Sequence, residues 1–213
     1  MPNLFIISGC NGAGKTTASY ALLPELFACS QFVNSDEFAK SFSPSNPSAA
    51  MIKAGKFLLM RVRYLISRSE DFAIETTLAT RSLMKIILDA QSQGYFVTIL
   101  YFWLNSPDLA VQRVAARVAS GGHFIPEETI RRRYNVGLHY FFRDYRAVAD
   151  RWILADNTIT PFKVVADGNM TMFNIKDVDK YSQICQQNEL YEQSVGYDES
   201  KAITFGNRDR KET

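Results

Sequence analysis

Residues 9–16 read Gly9-Cys10-Asn11-Gly12-Ala13-Gly14-Lys15-Thr16, which satisfies G-x-x-x-x-G-K-[ST] in full. Glycines at these spacings let the backbone fold tightly, so that successive N–H groups converge on phosphate oxygens. A helix opening at Lys15 adds its positive N-terminal end to the same spot. Lys15 is placed to reach the β- and γ-phosphates, and the Thr16 hydroxyl to ligate Mg²⁺. Gly9, Asn11, Gly12, Ala13, Gly14, Lys15, Thr16 and Thr17 are therefore the expected contacts to ATP or GTP. Just upstream, Leu4–Ser8 is a short continuous apolar run, the pattern of a strand buried on both faces of a parallel sheet.

The same alternation continues outward. The pattern predicts a helix from Lys15 to about Ala28, a strand at Phe32–Asn34, and a polar Ser/Pro loop at Ser41–Ser48. A helix from about Ala49 to Arg68 follows, with Met51, Leu58, Leu59, Val62, Leu65 and Ile66 at core spacing. Phe72–Ile74 is the third strand, with Glu75-Thr76-Thr77 after it, and a helix from Ser82 to Gln93 ends before Gly94. Phe96–Leu104 is rich in β-branched and aromatic residues and predicts the fourth strand. Ser106-Pro107 opens a helix as N-cap and N1. After a break at Gly121-Gly122, a long helix is expected from Pro126 to about Asp150. Trp152–Ala155 is a fifth strand, Lys163–Asp167 and Thr171–Ile175 a hairpin, and a helix closes the fold. The expectation is an α/β, three-layer fold of the P-loop NTPase type. It has a mainly parallel five-stranded sheet, an arginine-bearing helical lid over about residues 113–135, and a C-terminal β-hairpin plus helix. One domain spans residues 1–200, and residues 201–213 read as a loose tail.

Bulk properties narrow the function classes. The chain has 213 residues, 46% of them hydrophobic, and a net charge of only +2. That total does not point to a nucleic-acid partner. No apolar stretch approaches the ~20 residues that span a bilayer. Three cysteines (Cys10, Cys29, Cys185) read as free thiols, so a cytoplasmic setting is expected. Arginine is uneven: eight of fourteen lie between Arg113 and Arg151.

Carboxylates at strand ends suggest the reaction. In a parallel sheet all C-terminal strand ends open on one edge, so Asp36 and Glu75 should face the phosphate loop across a crevice. There is no Asn-Lys-x-Asp guanine-recognition motif and no transporter signature, and the placement suits a small-molecule kinase. Asp36 fits the base that readies an acceptor hydroxyl, with a second role near the metal; its bland alternative is a helix N-cap. Glu75 and Thr77 fit acceptor binding, against a structural salt bridge for Glu75. Arg117, Arg131 and Arg133 are candidates to close on the γ-phosphate, against solvated surface charge for each. Arg113 and Arg117 share a helix face, and His123 reads as a lid residue. A regulatory NTP-binding protein stands as the other class.

These residues resemble the zeta toxin family of P-loop kinases. The matching pieces are Gly9–Thr16, Asn34-Ser35-Asp36, Phe72-Ala73-Ile74-Glu75-Thr76-Thr77-Leu78, and Gly121-Gly122-His123-Phe124-Ile125-Pro126 with Ile130–Tyr134. The resemblance implies an ATP- or GTP-dependent kinase with Asp36 as base and Glu75 and Thr77 as sugar-binding residues. It further implies a nucleotide-sugar acceptor, UDP-N-acetylglucosamine, and a small antitoxin partner. One departure concerns the arginine that the family carries two residues after the binding threonine. Here that position is Ala79, and Arg81 stands two further on as the substrate-binding candidate.

Overall fold

In the computed structural model, residues 1–25, 29, 31–43 and 46–197 are described. The end of the first predicted helix and the expected tail fall outside them. Seven strands form one sheet in the order β2-β3-β1-β4-β5-β6-β7. They are β1 (Asn3–Gly9), β2 (Gln31–Val33), β3 (Phe72–Thr76), β4 (Phe96–Trp103), β5 (Arg151–Asp156), β6 (Lys163–Gly168) and β7 (Phe173–Ile175). The first five run parallel; β6 and β7 add antiparallel at one edge. The hairpin therefore extends the sheet from the expected five strands to seven.

The helices are α1 (Lys15–Glu25), α2 (Ser35–Phe42), α3 (Met51–Ser67), α4 (Leu83–Ser92), α5 (Pro107–Ala119), α6 (Glu127–Tyr140) and α7 (Val178–Ser194). Among the described residues none is long and apolar enough to cross a membrane. Strand residues alternate between two cores, as a period of two requires. Leu4, Ile6, Ile99 and Tyr101 pack with Val62, Leu65, Ile87, Leu138 and Ile184 of α3, α4, α6 and α7. Ile7, Leu100 and Phe102 pack on the other face with Ala110 and Val114 of α5 and with Ile130 and Tyr134 of α6. Helices on both faces give the three layers.

Parallel register sets the site. Ile7 lies beside Glu75 and Ser8 beside Thr76 on one side of β1, while Gly9 lies beside Phe102 on the other. The C-terminal ends of β1, β2 and β3 thus share one edge. Strand β3 runs two residues further than predicted, which carries Glu75 into the strand itself.

Two helices differ from expectation. Leu59 of α3 is exposed, 43%, and does not join the core stripe. The long helix predicted to about Asp150 stops at Tyr140 and passes into a π-helical turn, Phe141–Tyr145. Phe141 and Tyr145 stay in the core, and Asp144, on the same side, turns inward to 1% exposure.

Helix α7 is fastened by polar contacts. Gln187 accepts from Trp103 Nε1 at 2.8 Å and donates to the Tyr134 hydroxyl at 2.7 Å, which donates to the Leu104 carbonyl at 2.6 Å. Glu192 accepts from Arg143 Nε at 2.6 Å and Asn188 Nδ2 at 2.7 Å, with His139 Nδ1 at 3.0 Å. Burial works to raise the Glu192 pKa; the hydrogen bonds and charge of Arg143, helped by Asn188 and His139, outweigh it and leave the carboxyl below its ordinary value. Glu192→Gln is expected to lower the unfolding free energy by about 1–3 kcal/mol. Because the folded pKa is depressed, the contribution is complete above the unfolded carboxylate value, roughly 4.3, and fades as pH falls through the folded value. Urea denaturation across that range should show the gap between wild type and variant closing toward acid.

Candidate functional site

The phosphate loop is built as its sequence requires. Gly9, Gly12 and Gly14 all have positive φ, at 136°, 80° and 79°. At Gly14 a Cβ would also come within 2.5 Å of Asn157 Nδ2. Helix α1 opens at Lys15, so its free N–H groups and positive end face the loop. Lys15 is 6% exposed; its Nζ donates to the Cys10 carbonyl at 2.9 Å and stands 3.8 Å from Glu75 Oε1. Thr16 holds the next position and Thr17 is exposed. Burial pushes the Cys10 thiol up to about 11, so it sits as an inert filler beneath the loop.

Glu75, in β3, ties the start of α1 to the residue that follows β2. Its Oε2 accepts from Thr16 Oγ1 at 2.7 Å and from Asn34 Nδ2 at 2.9 Å. Asn34 simultaneously caps α2, its Oδ1 accepting from the Asp36 amide at 2.8 Å. Capping is thus done by Asn34, and the Asp36 carboxylate has no hydrogen bond to another described residue. A cavity of about 400 Å³ opens here, with Asn11, Lys15, Asn34, Asp36, Glu75, Thr77 and Arg133 in its wall. Helix α6 crosses Thr77 so closely that a Cβ on Gly137 would meet the Thr77 carbonyl at 2.4 Å.

Of the predicted arginines only Arg133 reaches this cavity. Its Nη1 donates to Asn11 Oδ1 at 3.1 Å. Burial, then the charge of Arg132, lowers its pKa, while Asp36 pulls the other way. Arg131 points outward, 2.7 Å from Asp108 and 2.8 Å from Glu127. Arg117 is exposed and donates to the His123 carbonyl at 3.2 Å, holding the Gly121-Gly122 corner. Arg81, expected at the acceptor, instead pairs with Asp144 at 3.0 Å and lies over the Tyr140 ring. The inward turn of Asp144 is what draws it away. These three expectations do not match the geometry.

Sequence reasoning missed a clamp behind the loop. Asn157, directly after β5, donates from Nδ2 to the Ala13 carbonyl at 2.7 Å. Arg113 donates to the carbonyls of Asn157 at 2.9 Å and Thr158 at 2.8 Å. Arg113 thus braces the loop from behind instead of closing on phosphate. The position of Asn157 at the end of a parallel strand, on the binding edge, was the available signal.

The zeta toxin family profile matches residues 1–159. An uncharacterised protein of Haemophilus influenzae is 32% identical over 126 residues, covering 59% of this chain and 88% of that protein. In fold, the chain is similar to a structure from the PezAT toxin–antitoxin system of Streptococcus pneumoniae. The TM-score is 0.62 at 15% identity, over 93% of this chain and 88% of that one. It is also similar to the AvrRxo1-ORF1:AvrRxo1-ORF2 complex, with a TM-score of 0.70 at 16% identity over 86% of this chain. It spans 63% of that longer chain.

The clamp generates a test. Asn157→Ala removes the hydrogen bond to Ala13, and the expected loss is about 1 kcal/mol of nucleotide affinity, roughly fivefold in Kd, with the fold retained. Isothermal titration with a non-hydrolysable ATP analogue checks it; unchanged affinity would show that the loop holds its shape without Asn157.

Proposed function

The chain belongs to the zeta toxin family, and from that premise we propose that it is a Mg²⁺-dependent kinase moving the γ-phosphate of ATP or GTP to an alcohol hydroxyl. Family and fold together support the coarser statement, a nucleotide-dependent kinase. The single observation that carries the rest is the division of labour at β2. Asn34 caps α2, leaving the Asp36 carboxylate in the cavity with Lys15 and Arg133.

The chemistry follows from the placement. The loop amides and Lys15 would hold the β- and γ-phosphates. Arg133, desolvated and beside Asn11, would meet charge developing on the γ-phosphoryl oxygens. The acceptor oxygen bonds to the γ-phosphorus as that phosphorus leaves the bridging oxygen of the nucleoside diphosphate, and the hydroxyl proton passes to Asp36. Mg²⁺ fits here as an ion carried with the nucleotide, a hard cation that keeps waters and few protein ligands. The Thr16 hydroxyl would ligate it, and Glu75, 2.7 Å away, and Asp36 would accept from its waters. Among the described residues no cluster of His, Cys, Asp or Glu forms a metal cage, in keeping with that arrangement.

Glu75 and Thr77 are the proposed acceptor-side residues. Two acceptor classes belong to the proposal: the nucleotide sugar UDP-N-acetylglucosamine, implied by the family likeness, and a different small metabolite. A small antitoxin protein as partner and a cytoplasmic setting are proposed on the same ground. Asp36→Asn should lower turnover by about 10²–10⁴-fold while leaving nucleotide Kd within a few-fold. Phosphoryl transfer from labelled ATP, alongside titration of nucleotide binding, reads both. If the variant turns over like wild type, the base assignment fails and a nucleotide-state switch becomes the better reading.

A further inference from the structure

Gln187 projects from the middle of α7 between β4 and α6. Trp103 is 2% exposed and its indole N–H can only donate, so Gln187 Oε1 must face it, at 2.8 Å. That orientation turns Nε2 toward the Tyr134 hydroxyl, to which it donates at 2.7 Å. Tyr134 in turn donates to the Leu104 carbonyl at 2.6 Å. Burial pushes the Tyr134 phenol up, so the proton stays on it and the direction of the chain is fixed. Indole, amide, phenol and carbonyl thus form one ordered relay in which every donor has an acceptor. It joins α6 to β4 near the end of the sheet where the phosphate loop begins, since Phe102 lies beside Gly9.

The residue before Tyr134 is Arg133. Its guanidinium reaches Asn11 of the phosphate loop at 3.1 Å and borders the cavity. Burial works against its charge, so the side chain gains hydration by swinging outward. Holding it inward are the Asn11 contact, the pull of Asp36 and the seat of the backbone beneath it. That seat is set on one side by Gly137 against Thr77 and on the other by the Tyr134 relay. Without the Gln187 amide the Trp103 N–H loses a buried acceptor, and the Tyr134 hydroxyl keeps one of its two partners. Relaxing either group moves β4 or α6, and a misplacement of about 1 Å at a reacting centre can cost roughly 10²-fold. Neither Gln187 nor Tyr134 stands in the described wall of the cavity.

Resting on the kinase reading above, we propose that Gln187 is a positioning residue: through the Tyr134 hydroxyl it seats α6 so that Arg133 meets the γ-phosphate of the bound nucleotide. Helix α7 thereby serves the site without touching the ligand. A nucleoside diphosphate, lacking that phosphate, is bound without this help.

The full chain is titrated calorimetrically with Mg²⁺ and either a nucleoside diphosphate, ADP or GDP, or the matching β,γ-imido triphosphate. The ratio of the two dissociation constants measures what the γ-phosphate gains from the protein, with no acceptor needed. Arg133→Ala should lower that preference for triphosphate by about tenfold or more. Gln187→Met, which keeps the volume but not the amide, should lower it by about fivefold while diphosphate affinity stays within about twofold. Added to Arg133→Ala it should change nothing further, because the two residues act as one. Tyr134→Phe keeps the ring in place and should behave alike, so the test stands if Gln187→Met does not fold. Glu192→Gln loosens the other end of α7 and is expected to leave the preference as in wild type. An unchanged preference in either folded relay variant, beside a lowered one in Arg133→Ala, overturns the positioning role and leaves the kinase reading intact. So does an equal fall in Glu192→Gln, or a further fall in the double variant, since either means general loosening. A wild type that binds no nucleotide overturns the kinase reading itself. Wild-type preference in Arg133→Ala removes Arg133 from the γ-phosphate, and the positioning role with it.

Discussion

One carboxylate, Glu75, organises the cleft. It receives hydrogen bonds from Thr16 at the start of α1 and from Asn34 at the end of β2 while itself belonging to β3. Three neighbouring chain segments are thereby fixed at one point, and the phosphate loop cannot drift relative to the segment that carries Asp36 without breaking charge-assisted hydrogen bonds. The parallel register of β1 with β3 makes this possible, since it brings Glu75 level with Ile7 just before the loop. A strand slipped by one residue would put this carboxylate on the opposite face.

Burial decides which arginine matters. Arg131, Arg132 and Arg133 are consecutive, so a helix must send them in different directions. Arg131 finds Asp108 and Glu127 at the surface and is neutralised there. Arg133 is turned toward Asn11, and its environment works against its charge. Arg133 is half-buried, keeps a hydrogen bond to Asn11, and feels the charge of Asp36 across the cavity.

Much of this was legible in residues 1–104. The glycine spacing announces a loop, the two-sided apolar strands announce a covered parallel sheet, and strand-end acids mark the binding edge. What stayed hidden depends on backbone partners, which leave no periodic trace. The Asn157 clamp ends on a main-chain carbonyl, and so do the bonds of Arg113 and Arg117. The choice between Asn34 and Asp36 as cap turned on two residues of helix boundary, finer than sequence patterns fix. The π-helical turn escaped because Phe141 and Tyr145, at a spacing of four, satisfy the ordinary helical pattern equally well.

Gly137 sits within the same helix as Arg133, one turn later. A glycine in a helix interior weakens that helix by about 1 kcal/mol relative to alanine. The molecule tolerates this because even a methyl group there would collide with the Thr77 carbonyl and prise α6 away from β3. Displacing α6 would also carry Arg133 off Asn11, so the two ends of the cleft share one rigid rod. Mutational drift at position 137 is therefore closed: every larger residue spoils the packing of α6 on Thr77 and the contact of Arg133 with Asn11 together.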